Sequence, residues 1–208
     1  MGPLLALVYD RCTARTEDAG VRERRRGLLA EARGDVVEVG AGTGLNLPLY
    51  PRAGLVRIVA VEPDAHMARR LRRRRAGDAP APVEVVRADG AALPFGDASF
   101  DTAVTTMVLC TVPDPAAVLA EVARVLRPGG RLLFLEHVRA HEARLARLQD
   151  RVTPVWRRVA GGCRPNRSTL ATLRASPLRV ERVDEGELPR SMPWTRPLIE
   201  GVAVRPPG

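Results

Sequence analysis

The segment DVVEVGAGTGLN, residues 35–46, constrains the fold of this chain more than any other. A β-branched run that carries one carboxylate, Glu38, leads into three alternating glycines, Gly40, Gly42 and Gly44. A buried strand has no use for a lone carboxylate, and an ordinary turn does not need three glycines. Glycines at this point let the backbone turn tightly and approach a ligand, because no Cβ stands in the way. The segment therefore predicts a strand that ends in a ligand-binding loop.

Strand-like and helical segments alternate along most of the 208 residues. The strand-like runs are 35–40, 56–63, 83–89, 101–109 and 131–138, with two more at 178–188 and 196–206. The helix after the second run is expected to begin at the N-cap residue Asp64. The helix after the fourth run has Pro115 near its first turn and is expected to stop at Pro128-Gly129-Gly130. Such alternation predicts one α/β domain over residues 1–208, a doubly wound parallel sheet whose last two strands pair antiparallel at its edge.

Acidic residues close three successive strands of the predicted sheet: Glu38, Glu62 and Asp89. The carboxyl ends of parallel strands meet at one edge, where ligands of open α/β sheets bind. Glu62 follows Gly40 at the distance expected of a carboxylate that binds ribose hydroxyls. Position 45 is Leu, so the glycines do not have the G-x-G-x-x-G spacing of a dinucleotide site. The carboxylates would repel a pyrophosphate and suit a ligand with a ribose, an adenine amine and a positive charge.

Those properties describe S-adenosylmethionine, and the chain resembles the class I methyltransferases that use it. The resemblance rests on E-x-G-x-G-x-G, VEPD, RADGAALPF, FDTAVTTMVL and RVLRPGGRLLFLEH, in that order between residues 35 and 138. It implies a Rossmann-like, mostly parallel seven-stranded sheet of order 3-2-1-4-5-7-6 with an antiparallel C-terminal strand. It also implies S-adenosylmethionine as the cofactor, S-adenosylhomocysteine as its product, and no metal.

A narrower resemblance, to the methyltransferase-like 7 group, covers nearly the whole chain. It rests on VLCTVPDP, EHVRA, LQDRVTPVWRRVAGGC, NRSTL and PLIEGVA. The vertebrate members are thiol S-methyltransferases of small alkyl thiols, which implies S-methylation of a thiol by in-line displacement. They carry an N-terminal membrane helix that this sequence lacks, so a cytoplasmic enzyme without a membrane span is expected. O- or C-methylation of a quinone-like or other natural-product acceptor remains an alternative.

The resemblance assigns roles to individual residues. The implied cofactor-binding residues are Tyr9, Glu38, Gly40, Ala41, Gly42, Gly44, Glu62, Pro63, Asp89, Gly90, Thr106, Met107 and Leu109. Asp89 and His137 are the candidates for catalytic roles, and His141 and Glu136 could also assist an oxygen or nitrogen acceptor. A thiol ionises near pH 8.5 and does not demand a strong base. A helical cap segment at 1–30 and a helical insertion at 139–177 are expected to form the acceptor pocket.

Composition narrows the remaining function classes. The formal net charge is +9, and all 33 basic residues are arginines, since the chain has no lysine. A coding bias toward GC-rich codons explains this excess of arginine as well as nucleic-acid binding does. The arginine run at 69–75 is expected to be a solvated helix face. The fourth strand lacks the motifs of enzymes that methylate nucleic-acid bases. We therefore expect a small-molecule acceptor and no nucleic acid. The glycine spacing and Asp89 argue against a nicotinamide-dependent oxidoreductase. Cys12, Cys110 and Cys163 form no CxxC pair, so neither a disulfide framework nor a zinc site is indicated.

Overall fold

A single seven-stranded sheet forms the centre of the protein. The computed structural model describes residues 13–14, 16–188 and 190–207. The strands are β1 Gly34–Val39, β2 Leu55–Val61, β3 Val83–Val86, β4 Phe100–Thr106, β5 Leu126–His137, β6 Arg179–Glu187 and β7 Pro197–Val204. Their order is β3-β2-β1-β4-β5-β7-β6. Strands β1 to β5 pair in parallel, whereas β7 runs antiparallel to both β5 and β6. The predicted fold class and strand order are confirmed.

The central strand β1 is buried on both faces because helices cover both sides of the sheet. It lies between β2 and β4. Val37 and Val39 pack into one apolar cluster and Val36 into a second, as the two-residue period of a strand requires. Strands buried in this way read as continuous β-branched runs, which is the pattern that the sequence shows.

Five α-helices surround the sheet within the described residues. They are α1 Arg22–Leu29, α2 Ala65–Asp78, α3 Pro115–Val125, α4 Ala143–Val159 and α5 Thr169–Arg174. The predicted cap of α2 is confirmed, since Asp64 Oδ1 accepts the backbone N–H groups of His66 and Met67 at 2.9 and 3.0 Å. Shorter helical turns occupy Glu17–Val21, Leu47–Leu49 and Pro193–Thr195. None of the helices in the described part of the chain has the length and apolar character needed to cross a bilayer.

The end of α3 differs from the prediction. The helix stops at Val125, before the Pro128-Gly129-Gly130 segment, and β5 starts at once with Leu126 in an extended conformation. Proline excludes the α-region for the residue before it, so the chain is already extended when it reaches Pro128. Gly129, with φ of 76°, then lies inside the β5 segment, where the pairing with β4 shifts register. The Pro-Gly-Gly segment therefore shapes the start of the strand.

Candidate functional site

The loop after β1 adopts the conformation that its glycines predict. Gly40, Gly42 and Gly44 have φ of 69°, 58° and 85°, in the left-handed region that favours glycine. A Cβ on Gly40 would lie 2.6 Å from Cγ2 of Val108, which follows the neighbouring strand β4. The loop is therefore held against the end of β4, and Gly40 cannot be replaced without displacing one of them.

Glu62, at the end of β2, fixes the shape of this loop. Its Oε2 accepts the N–H of Gly42 and its Oε1 accepts the N–H of Asp64, each at 2.9 Å. Burial raises the pKa of Glu62, while these two backbone donors act in the opposite direction. Each carboxylate oxygen has a second lone pair, so the side chain can still accept hydrogen bonds from a ligand. One carboxylate thus links the glycine loop to the start of α2.

Glu38 lies beneath the loop at the centre of a buried polar network. Its two carboxylate oxygens accept hydrogen bonds from Asn46 Nδ2 and the Tyr50 hydroxyl, each at 2.9 Å. Arg25 donates to Asn46 Oδ1 at 2.9 Å and to the Thr106 hydroxyl at 2.7 Å. Burial raises the pKa of Glu38 to about 7, although these donors lower it. Glu38 therefore orients the loop from below.

Three partners of Glu38 and of its network were not predicted from the sequence: Arg25, Asn46 and Tyr50. Asn46 and Tyr50 follow the glycines within twelve residues of Glu38. A carboxylate on a buried strand needs hydrogen-bond donors, and this requirement could have predicted that nearby polar side chains bind Glu38. Arg25 comes from α1, and no local spacing connects it to the loop.

Asp89 and Gly90 follow β3 at the same edge. Asp89 is exposed, and its Oδ1 accepts the N–H of Ala91 at 2.9 Å, which leaves Oδ2 for another donor. Gly90 is buried, and a Cβ there would lie 2.7 Å from Cγ1 of Val39. Pro63 is exposed beside Glu62. The predicted carboxylates therefore do lie at the ends of three neighbouring strands.

The predicted residues after β4 do not share one environment. Met107 has φ of 59° and donates its N–H to Leu135 at 2.7 Å, which ends the strand. Thr106 belongs to the Glu38 network, and Ala41 is buried in the apolar cluster under the loop. The side chain of Leu109 is fully buried in the core. Tyr9 lies outside the described residues.

Two of the four candidate bases have other partners. Glu136 is fully buried, and it accepts the N–H groups of Val108, Leu109 and Cys110 at 3.1, 3.0 and 3.2 Å. Burial raises its pKa. His141 is exposed, and its Nε2 lies 3.0 Å from Glu185 Oε2. Glu136 therefore shapes the loop after β4, and His141 forms a surface pair.

His137, the last residue of β5, contacts two cysteines that the sequence had separated. The sulfurs of Cys110 and Cys163 each lie 3.7 Å from His137 Nδ1. The Cys110 thiol lowers the pKa of Cys163, with further contributions from His137 and Trp156. The reciprocal interaction and burial raise the pKa of Cys110. One sulfur of the pair, that of Cys163, is thus favoured as a thiolate.

A cavity of about 590 Å³ lies farther along the same sheet edge. It is lined by Val138, Arg139, Ala140, His141, Ser168, Thr169, Leu170, Ala171, Arg174, Ala175, Glu185 and Ile199. Most of these residues belong to the predicted insertion 139–177. The cavity combines an aliphatic wall with two arginines, which suits a small, partly apolar molecule.

Several known proteins with a similar sequence or structure are methyltransferases. The profile of a methyltransferase domain matches residues 37–134. The chain is 32% identical over 201 residues to thiol S-methyltransferase TMT1B of Homo sapiens, covering 89% of this chain and 80% of the relative. It is 36% identical over 128 residues to phosphatidylethanolamine N-methyltransferase of Cereibacter sphaeroides, covering 61% of this chain and 62% of that protein.

The fold comparison agrees with the sequence comparison. A solved SAM-dependent methyltransferase of Thermotoga maritima has a TM-score of 0.71 and 23% identity, covering 98% of this chain and 97% of that one. The human relative matches well beyond the common domain profile. With the glycine loop and the strand order already established, these matches identify the chain as a SAM-dependent methyltransferase that belongs to the family of the thiol S-methyltransferases.

Proposed function

We propose that this enzyme transfers the methyl group of S-adenosylmethionine to the sulfur of a small thiol. The observation that carries the proposal is the 32% identity to a thiol S-methyltransferase over 89% of the chain. This match includes the region after β5, which the profile of the methyltransferase domain, matched over residues 37–134, does not cover. The geometry of the strand ends supports the same reaction.

The residues of the glycine edge fit the cofactor. Gly40 and Gly90 stand where a Cβ would fill the space between neighbouring strand ends. Glu62 would accept hydrogen bonds from the ribose hydroxyls, and the free oxygen of Asp89 would accept one at the adenosine end. Glu38 and its partners would hold the loop in its ligand-binding shape. The proposal keeps all the cofactor-binding residues that the resemblance implied from the sequence.

The groups near the end of β5 favour a sulfur acceptor. When bound, S-adenosylmethionine supplies a methyl group that its sulfonium already activates. The protein must then align the acceptor and exclude water, and such alignment contributes about 7–11 kcal/mol. Glu136 is occupied by three backbone donors and His141 by a surface carboxylate. A thiol needs less help than an alcohol, because a thiol loses its proton far more readily and the thiolate is the nucleophile.

The proposed acceptor site lies between the end of β5 and the segment 139–177. This segment contains α4 and α5 and lines much of the 590 Å³ cavity. An aliphatic wall there would bind the carbon chain of the acceptor and leave its sulfur at the strand ends. His137 borders this region and is retained as a candidate catalytic residue.

The test compares three acceptors that differ in one atom: butane-1-thiol, butan-1-ol and butan-1-amine. Each is incubated with the enzyme and trideuteromethyl-labelled S-adenosylmethionine, and methylated products are measured by mass spectrometry. The proposal predicts labelled methyl butyl sulfide, with a rate that rises with pH because the thiolate fraction of the acceptor increases. Methylation of the amine or the alcohol without the thiol would contradict it.

Two variants show whether product formation depends on the glycine edge. Glu62→Ala removes the carboxylate that binds the loop, and product formation should fall at least tenfold. Glu84→Ala removes an exposed carboxylate from β3 and should leave the rate unchanged. Equal activity of both variants would mean that methyl transfer does not use this edge.

A further inference from the structure

Cys110, His137 and Cys163 form a compact cluster at the end of β5, and the proposed function gives a role only to His137, as a candidate catalytic residue. They come from the loop after β4, the last residue of β5 and the turn between α4 and α5. One side-chain donor atom of each lies within 4.8 Å of the other two. The geometry points to a Zn²⁺ site with three protein ligands and a fourth position open to a small thiol. The thiol part of this inference rests on the proposed function, whereas the metal site does not.

The distances match those of a tetrahedral zinc site. Each sulfur lies 3.7 Å from the same atom, His137 Nδ1. With Zn–S near 2.3 Å and Zn–N near 2.0 Å, tetrahedral angles place a sulfur and a nitrogen ligand about 3.5 Å apart. A Zn²⁺ ion would therefore fit between the three atoms with only small side-chain adjustments.

Simpler explanations account for only part of this arrangement. A hydrogen bond from the Cys110 thiol to Cys163 pairs the two sulfurs but does not explain why both lie 3.7 Å from His137 Nδ1. In neutral histidine Nδ1 has either one lone pair or one proton, so it can hydrogen-bond well to only one of the two sulfurs. A disulfide between Cys110 and Cys163 would bring the sulfurs to about 2.05 Å and leave the imidazole without a partner. A cation at the centre would engage all three groups at once.

The backbone holds each member of the cluster in place. The N–H of Cys110 is bound by Glu136, and its carbonyl accepts the N–H of Arg164 at 2.8 Å. The N–H of Cys163 donates to Ala160 at 3.2 Å, in the turn after α4. His137 is paired with β7 across the sheet. Ligands fixed by such secondary bonds are a common feature of metal sites.

Charge balance also favours a divalent, thiophilic ion. Cys110 is 0% and Cys163 6% exposed, so unpaired thiolates there would be costly. Two thiolates and a neutral imidazole neutralise Zn²⁺, and the two thiol protons leave to solvent on binding. No fourth ligand joins this group within the described ranges. Three protein ligands and one open position are typical of zinc sites that bind a substrate, and metal binding ionises a thiol.

The experiment uses the full chain, stripped of metal with a chelator and kept reduced. Co²⁺ is titrated as a coloured substitute for Zn²⁺, and absorption is recorded without S-adenosylmethionine. One Co²⁺ per chain should bind with sulfur-to-cobalt charge-transfer bands and the visible bands of tetrahedral cobalt, and Zn²⁺ should displace it. Cys110→Ser, Cys163→Ser and His137→Asn should each weaken binding at least tenfold. His141→Asn is the matched control and should bind as the wild type does.

The outcomes separate the metal site from the proposed function. Absence of stoichiometric binding by reduced, folded protein, or binding unchanged in all three ligand variants, would overturn the site. Because the wild-type cobalt spectrum itself reports the sulfur ligands, the test does not depend on any variant that fails to fold. Ethanethiol added to the cobalt form should intensify the charge-transfer bands. If the bands do not change, the fourth coordination position does not bind a thiol. Cobalt binding without thiol methylation would refute the proposed function alone.

Discussion

Glu38 provides a quantitative test of how the glycine loop is supported. It is 2% exposed, and burial raises the pKa of its carboxyl from 4.5 to about 7 despite hydrogen bonds from Tyr50 and Asn46. In the unfolded chain the carboxyl loses its proton near pH 4.5, while in the folded protein it keeps the proton to about pH 7. The unfolded state therefore binds fewer protons between these values, and stability falls as the pH rises through this window.

The size of the effect follows from the separation of the two pKa values. A difference of one pKa unit corresponds to about 1.4 kcal/mol, so Glu38 should lower the free energy of unfolding by about 2.5 kcal/mol between pH 5 and pH 8. Glu38→Gln keeps the shape of the side chain and cannot ionise. The variant should therefore gain about 2.5 kcal/mol relative to the wild type over the same interval, whatever its stability at pH 5.

Urea unfolding at pH 5 and pH 8 measures this difference directly. Glu62 and Glu136, whose pKa values are also raised by burial, are present in both proteins, so their own titration is common to both and only the Coulombic coupling of Glu62 to Glu38 differs. Glu84→Gln, on the exposed part of β3, is the control and should leave the pH dependence unchanged. If wild type and Glu38→Gln lost stability in parallel between these pH values, the buried network would not hold Glu38 as described.

Three further substitutions test individual packing and hydrogen-bond assignments. Gly40→Ala places a Cβ 2.6 Å from Val108 at a positive φ, and it should cost at least about 2 kcal/mol in thermal unfolding; an unchanged melting temperature would contradict this contact. Gly27→Ala, at an exposed position within α1 with nothing within 4 Å, should stabilise the protein by about 1 kcal/mol, and a loss of stability would refute the helix assignment. Glu136→Gln turns an NH₂ group toward one of three backbone donors, including that of Cys110, and should cost about 2 kcal/mol in urea unfolding. A neutral result for Glu136→Gln would show that these donors have other acceptors.

The sequence predicted the shared edge of the strand ends well because its signals are local. Gly40, Glu62 and Asp89 each follow a β-branched run, and parallel strands necessarily bring their carboxyl ends together. The strand order and the antiparallel β7 were predicted correctly through the resemblance to class I methyltransferases. The predicted end of α3 was wrong, because the effect of Pro128 on the conformation of the preceding residue was not considered.

Contacts between residues that are far apart in the sequence were not predicted from it. Cys110, His137 and Cys163 are 26 or more residues apart from one another, and only the packing of the turn after α4 against the ends of β4 and β5 brings them together. Arg25 reaches Thr106 across 81 residues. Metal-site spacing rules describe ligands on a shared local element and do not apply to such an arrangement.

The most direct test of the central claim is calorimetric titration of S-adenosylhomocysteine into the wild type, Asp89→Ala and Glu84→Ala. Asp89 is exposed and its side chain accepts one local hydrogen bond, from the N–H of Ala91, so the loss of this side chain should leave the fold intact. The account predicts micromolar binding at one site per chain, unchanged in Glu84→Ala and at least tenfold weaker in Asp89→Ala, or about 1.4 kcal/mol. Absence of binding to folded wild-type protein, or equal binding by Asp89→Ala, would contradict the assignment of the cofactor to this edge.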